Sequence, residues 1–192
     1  MSSPNPAPDA TLLIATHCPH CAAVLAALSE LVKQGAIGQL TVVNLERHPE
    51  RARAYGVRSV PWLRLGEFEF TGALSAGELK AWAERASSEA GWADYFHHLL
   101  KQGQAERAIE QVRAQPARLA AVLPIIANPE ASLNVRIGAG MVLEEFAGQP
   151  ALQALIGQLG ELSRHADARV RADACHYLSL TGSPRLSGTP PG

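Results

Sequence analysis

The sequence predicts an α/β domain of order βαβαββα followed by an all-α domain built from repeated helices. Three observations carry this expectation. Short apolar runs rich in β-branched residues alternate with helical periodicity up to Ser88, no segment beyond Gly91 alternates like a strand, and two of the later helices repeat one another.

The chain opens with a Pro-rich leader over residues 1–10, expected to be disordered. Thr11-Leu-Leu-Ile-Ala15 then reads as a buried central strand ending at Thr16-His17. From Pro19 to Gln34 the apolar residues Val24, Leu25, Leu28, Leu31 and Val32 recur at three- and four-residue steps, and Gly35 is the stop. Pro19 is expected at the first helical position, where its missing N–H costs nothing. A second strand follows over 40–45, a short helix over 48–55 closed by Gly56, and a hairpin of 61–65 with 67–70 turning at Gly66. A helix from Ser75 to Ser88, with Ser75 as its N-cap, closes a domain spanning 11–88.

Residues 92–182 read as helix after helix, near 92–102, 104–114, 116–127, 132–147, 150–164 and 167–181. Val135-Arg136 with Ala139, Leu143, Phe146, Gly148 and Pro150 matches Val170-Arg171 with Ala174, Leu178, Leu180, Gly182 and Pro184. Ser132 and Asp167 stand at equivalent N-cap positions. Val, Ala and Leu at four-residue steps share one helix face, and the small alanine admits a close neighbour. This pattern resembles short HEAT-like repeats, which implies stacked helix pairs and an extended surface for a protein partner. An ordinary helical bundle is the alternative. Cys175, beside Ala174, is expected to be a buried small residue, and residues 183–192 a disordered tail.

Composition narrows the function. The 192 residues carry a net charge of −1, with 47% hydrophobic and 18% charged residues, as in a globular protein. Eight basic residues face eight acidic ones up to Ser88, and nine face ten afterwards, so neither half offers the overall basic character that nucleic acid or an anionic membrane demands. No signal-like leader and no long apolar span is visible, and the chain reads as cytoplasmic. With three cysteines, two of them adjacent in Cys18-Pro19-His20-Cys21, the pattern is not a disulfide scaffold but a redox or metal site.

Two cysteines separated by two residues at a helix start can close a small disulfide ring. Cys18 lies where unpaired helix N–H groups and the positive end of the macrodipole favour a thiolate, the attacking species. Cys21, one turn further in, is placed to resolve a mixed disulfide. His20, when protonated, favours the Cys18 thiolate, stabilising the dithiol and making the disulfide more oxidising. His17-Cys-Pro-His-Cys21 also holds four soft or borderline ligands within five residues, so zinc, copper or an iron–sulfur cluster shared between chains stands as an alternative.

The run Tyr55-Gly-Val-Arg-Ser-Val-Pro-Trp62, followed by Gly72-Ala-Leu-Ser75 and an amphipathic helix, closely resembles the second half of thioredoxins. The resemblance implies a cis Pro61 facing the cysteines and a Val60 backbone that receives an extended substrate. Pro-His between the cysteines, with Val before the proline, is similar to the DsbA-type disulfide-forming enzymes, although their helical insertion does not fit between Leu45 and Pro61. The leading strand and helix of thioredoxins are missing, leaving a glutaredoxin-sized domain. Leu12 and Asn44 replace the buried Asp and Lys of that family, and His17 replaces the Trp before the first cysteine, altering the substrate-facing surface.

The expected function is thiol–disulfide exchange on a protein client, with Cys18, Cys21 and His20 as catalytic residues, Val60, Pro61 and His17 facing the substrate, no cofactor, and a redox partner the sequence does not identify. The helical domain would recruit the client. A helical interaction protein with a vestigial redox domain is the third reading.

Overall fold

The computed structural model describes residues 6–182, and the chain divides after Gly91 into two units. In the first, β1 (Ala10–Ile14) has partners on both sides: β2 (Leu40–Asn44) runs parallel to it and β3 (Trp62–Leu65) antiparallel, with β4 (Phe68–Thr71) beyond β3 in the order β2-β1-β3-β4. The helices are α1 (Cys21–Lys33), α2 (Pro49–Ala54) and α3 (Ala76–Ala86). The order is the expected βαβαββα.

Register explains why β1 is apolar apart from Thr11. Leu12 pairs with Leu63 and Leu63 with Phe70, so these side chains share the face that also carries Leu65 and Phe68, and Trp82 of α3 lies against Phe68 and Phe70 at 5.9 and 5.0 Å between rings. Leu13 pairs with Trp62 on the opposite face, where Tyr55 covers Trp62 at 5.1 Å. Leu12 and Leu13 are both fully buried, each contributing roughly 1.5–3 kcal/mol. Val24, Leu28 and Leu31 of α1 fill the same core, as their spacing predicts.

Two expectations need correction here. Residues 8–10 of the supposedly disordered leader are held: Pro8 O accepts from Gly38 N–H at 3.0 Å, Asp9 O from Gly66 N–H at 2.8 Å, and Ala10 already belongs to β1. Residues 1–5 and the tail over 183–192 lie outside the described residues. Pro19 is not in the helix, which begins at Cys21. A tighter turn precedes it, with Cys21 N–H donating to Cys18 O at 3.3 Å before the first four-residue bond, Val24 N–H to His20 O at 3.4 Å. Pro19 loses no bond in either arrangement, so its presence cannot distinguish them.

The second unit is helical: α4 (Gly91–Lys101), α5 (Ala105–Ala114), a 3₁₀ helix (Pro116–Val122) continuing into α6 (Leu123–Ile126), α7 (Leu133–Glu145), α8 (Pro150–Gln153), α9 (Ile156–Leu162) and α10 (Ala168–Ser179). The continuous helices expected over 116–127 and 150–164 are therefore broken. Pro124 cannot supply the N–H that an α-helix through Ala120 would require, and Gly157 and Gly160 weaken helix propensity after the turn at Ala154-Leu155.

The internal repeat holds locally for α7 and α10. Val135 and Val170, Ala139 and Ala174, and Leu143 and Leu178 are all buried. Arg136 donates to Asn128 O, and Arg171 to His165 O and Ala166 O, each arginine tying down the chain before its own helix. Arg136 also joins the two copies through an ion pair with Asp173. Close approach falls to Gly138 and Gly140 as well as Ala139, because a Cβ on either glycine would come 2.9 Å from Leu100 Cδ2 or the Tyr177 hydroxyl. The region over 92–127 does not repeat this pattern, and the HEAT-like array stays an expectation. Cys175 is exposed, not buried, because α10 turns Ala174 to the core and its neighbour outward.

The caps separate by a simple test. Ser75 accepts Glu78 N–H at 3.2 Å in a capping box, whereas Ser132, which has Val135 in place of the glutamate, makes no side-chain cap bond. Thermal denaturation should show Ser75→Ala losing about 1 kcal/mol and Ser132→Ala less than about 0.5 kcal/mol.

Candidate functional site

Parallel pairing of β1 with β2 and antiparallel pairing of β1 with β3 bring the C-terminal ends of β1 and β2 and the start of β3 to one edge of the sheet. Cys18 follows β1 there. Continuing the Leu13–Trp62 register by one residue sets Pro61 opposite Ile14, and Gly72 N–H donates to Pro61 O at 2.9 Å, bringing the loop after β4 to the same edge. The Val60–Pro61 bond is cis, as the resemblance implies. Pro61 is buried and Val60 half-buried.

Cys18 and Cys21 form a disulfide with Cα atoms 5.4 Å apart, within the normal range for such a bond. Their exposures differ: Cys18 is half-buried, and Cys21, in the first turn of α1, is 4% exposed. Cys18 thus sits outside the N-terminus of a thirteen-residue helix, in the partial positive charge of its free amides. His20 is the N-cap residue, exposed, and makes no capping bond with its side chain. His17 is also exposed, on the turn before Cys18.

A group of residues that the motif does not reveal holds this turn. Thr16 donates its amide to Glu46 Oε1 at 3.1 Å and its hydroxyl to Glu46 Oε2 at 2.5 Å. Asn44 Nδ2 donates to Thr16 Oγ1 at 3.1 Å and Asn44 Oδ1 accepts Glu46 N–H at 2.9 Å. The Thr16 hydroxyl first, and its amide second, hold the Glu46 carboxyl below the usual carboxylate range, with smaller help from the charges of His17 and Arg47. Asn44 therefore helps fasten the approach to Cys18. The signal was parallel pairing: strands ending at Ile14 and Asn44 in matched register place their next polar residues side by side.

The sequence-predicted residues separate into two groups. Cys18 and Cys21 are in contact; His17, His20, Val60 and Pro61 lie on the loops that meet at the same sheet edge. Among the described residues no group of three or more His, Cys, Asp or Glu side chains is placed to hold a metal ion, and no helix is long and apolar enough to cross a membrane. The other histidines play local parts: His165 Nδ1 accepts Asp167 N–H, and His176 Nε2 lies 3.1 Å from Glu144. Trp92, Tyr95 and Phe96 are buried in the second unit with Arg118 over the Trp92 ring at 3.9 Å.

The Glu46 clamp makes a measurable claim. Glu46→Ala should speed hydrogen exchange at the Thr16 amide several-fold while leaving Leu12 and Leu13 amides unchanged. In the unaltered protein the clamp is complete above the ordinary glutamate pKa and is lost on acidification, as pH falls through the depressed value and the carboxylate takes a proton.

Comparison with known proteins adds the family. Residues 11–84 match the family model for the thioredoxin domain. No curated protein matches the chain. A close cysteine pair at the start of α1 in such a domain supports a redox role, and the sheet order agrees with the matched span: the N-terminal unit is a thioredoxin-like domain.

Proposed function

We propose that the N-terminal unit is a protein thiol–disulfide oxidoreductase in which Cys18 exchanges with the client and Cys21 resolves. The observation that carries this reading is the unequal exposure of a bonded pair: a client sulfur can reach half-buried Cys18 but not Cys21, which is 4% exposed. From the oxidised form, a client thiolate attacks Cys18 Sγ, the Cys18–Cys21 bond breaks, and Cys21 leaves as a thiolate. A second client thiolate then attacks the client sulfur of the mixed disulfide, releasing Cys18 as a thiolate and leaving the client disulfide-bonded. The client loses two electrons and the domain gains them. The reverse sequence reduces a client disulfide.

In this reading the Val60 backbone and cis Pro61 receive the client chain, His17 and His20 border it, and the helical unit recruits or presents the client. The working partner that resets the couple is a disulfide, of a protein or a small molecule, after client oxidation, and a thiol after client reduction. A cytoplasmic setting belongs to the same reading.

Cysteine variants test the roles. Cys18→Ser should abolish exchange, and Cys21→Ser should accumulate mixed disulfides through Cys18, read by non-reducing electrophoresis and mass spectrometry. Capture through Cys21 instead would overturn the assignment.

In this reading His20 makes the couple more oxidising. When protonated, its imidazole favours the Cys18 thiolate and hence the dithiol, raising the potential by about 30 mV for every 1.4 kcal/mol. Roughly 1–3 kcal/mol would lift a thioredoxin-like value near −270 mV to about −250 to −200 mV. Redox titration should show His20→Pro lowering the potential and raising the Cys18 pKa together; if both stay unchanged, His20 has no part in the couple.

A further inference from the structure

Resting on the exchange reading above, we propose that the site selects protein clients whose reactive cysteine is flanked by acidic residues, recognised by the arginines of the segment between β2 and β3. Of the eight basic residues up to Ser88, four lie in this stretch: Arg47, Arg51, Arg53 and Arg58. All four are exposed, and α2, which carries two of them, buries none of its residues. None of the four makes an ion pair among the described residues; Arg47 and Arg51 act on Glu46 and Glu50 only at longer range.

Carboxylates near this edge already have partners. Glu46 accepts two bonds from Thr16, Glu50 lies 3.2 Å from His48 Nδ1, and Glu78 accepts Ser75 N–H at 2.8 Å. Meanwhile the loop after β4, Gly72-Ala-Leu-Ser75, carries no charge. Residues 45–61 hold four basic against two acidic residues, and the rest of the unit up to Ser88 four against six, so the segment is the positive part of a balanced unit.

That place adjoins the cysteines by topology. The segment leaves β2 at the edge where Cys18 sits and returns to β3 through Pro61 at the same edge. Its first end is fastened to the turn before Cys18 by Glu46 and Thr16, and its last is fastened by Tyr55 against Trp62. A client chain crossing from Cys18 toward Val60 passes beside it, and acidic side chains next to the client cysteine would meet the unpaired guanidinium groups. An acidic neighbourhood also raises the client thiol's own pKa, so steering toward arginines offsets a handicap that such clients carry in water.

The test uses the full chain with its disulfide formed and dithiol peptides of one sequence in which the cysteines are flanked by Glu, by Gln or by Lys. The rate at which each peptide reduces the Cys18–Cys21 bond is divided by its rate against a small neutral disulfide, which removes differences in thiol pKa. At low salt the Glu peptide should exceed the Gln peptide on the order of tenfold, with the Lys peptide slowest. The ratio should fall toward one at 1 M salt, where screening acts within about 3 Å. It should fall likewise when Arg47, Arg51, Arg53 and Arg58 are all changed to Gln, but not when Lys33 and Lys80 are. A Glu-to-Gln ratio near one at low salt, or an advantage that survives both salt and the arginine substitutions, overturns the proposal while leaving exchange itself standing. Failure of the Gln peptide to react at all would refute the exchange reading, and the acidic-client proposal with it.

Discussion

Burial of β1 on both faces is the constraint from which the first unit's architecture follows. A strand with Leu12 on one face and Leu13 on the other needs cover above and below and a partner strand on each side. α1 and α3 supply one cover, and Tyr55 with Arg64 the other, the guanidinium lying 4.7 Å over the Tyr55 ring and paired to Glu69. Once β1 is central, the chemistry is positioned almost without further choice. Whatever follows β1 must stand at the sheet edge where β3 begins, so a cysteine motif and a proline some forty residues later meet through register rather than through any direct attraction.

Much of that unit was readable because its signals are local and its topology is stereotyped. Ser75 and Glu78 announce a capping box from four consecutive residues, and Gly66, at φ +58, announces the hairpin turn. Pairing between distant strands was less readable. Nothing in Thr16, Asn44 or Glu46 alone marks a clamp; their meeting depends on two strands ending in step. The leader misled for a related reason. Pro8 and Asp9 look like loose chain by composition, yet their carbonyls are used by Gly38 and Gly66 at the far end of the sheet.

In the helical unit the repeated residues disclosed the buried face but not helix continuity. Val135, Ala139 and Leu143 identify what points inward, whereas breaks near Leu155 and before Leu123 depend on single donors and on glycine content within an otherwise apolar stretch. Cys175 shows the limit of pattern reasoning at a boundary. One position along a helix turns about a quarter of the way round, so the neighbour of a core alanine need not be core. Ser132 and Asp167 likewise share a position while differing in use, since only Asp167 accepts an amide, from Arg169 at 2.8 Å.

The absence of buried residues in α2 has a consequence for how this protein can change over time. Substitutions on a helix that contributes nothing to the core cost little stability, typically within about 0.5 kcal/mol. The residues of α2 can therefore vary in charge and size while the strands that position the cysteines stay under strict packing control. Under the proposed reading, a change of client would require no compensating change in the fold, because the exposed helix and the buried strands carry separate packing constraints.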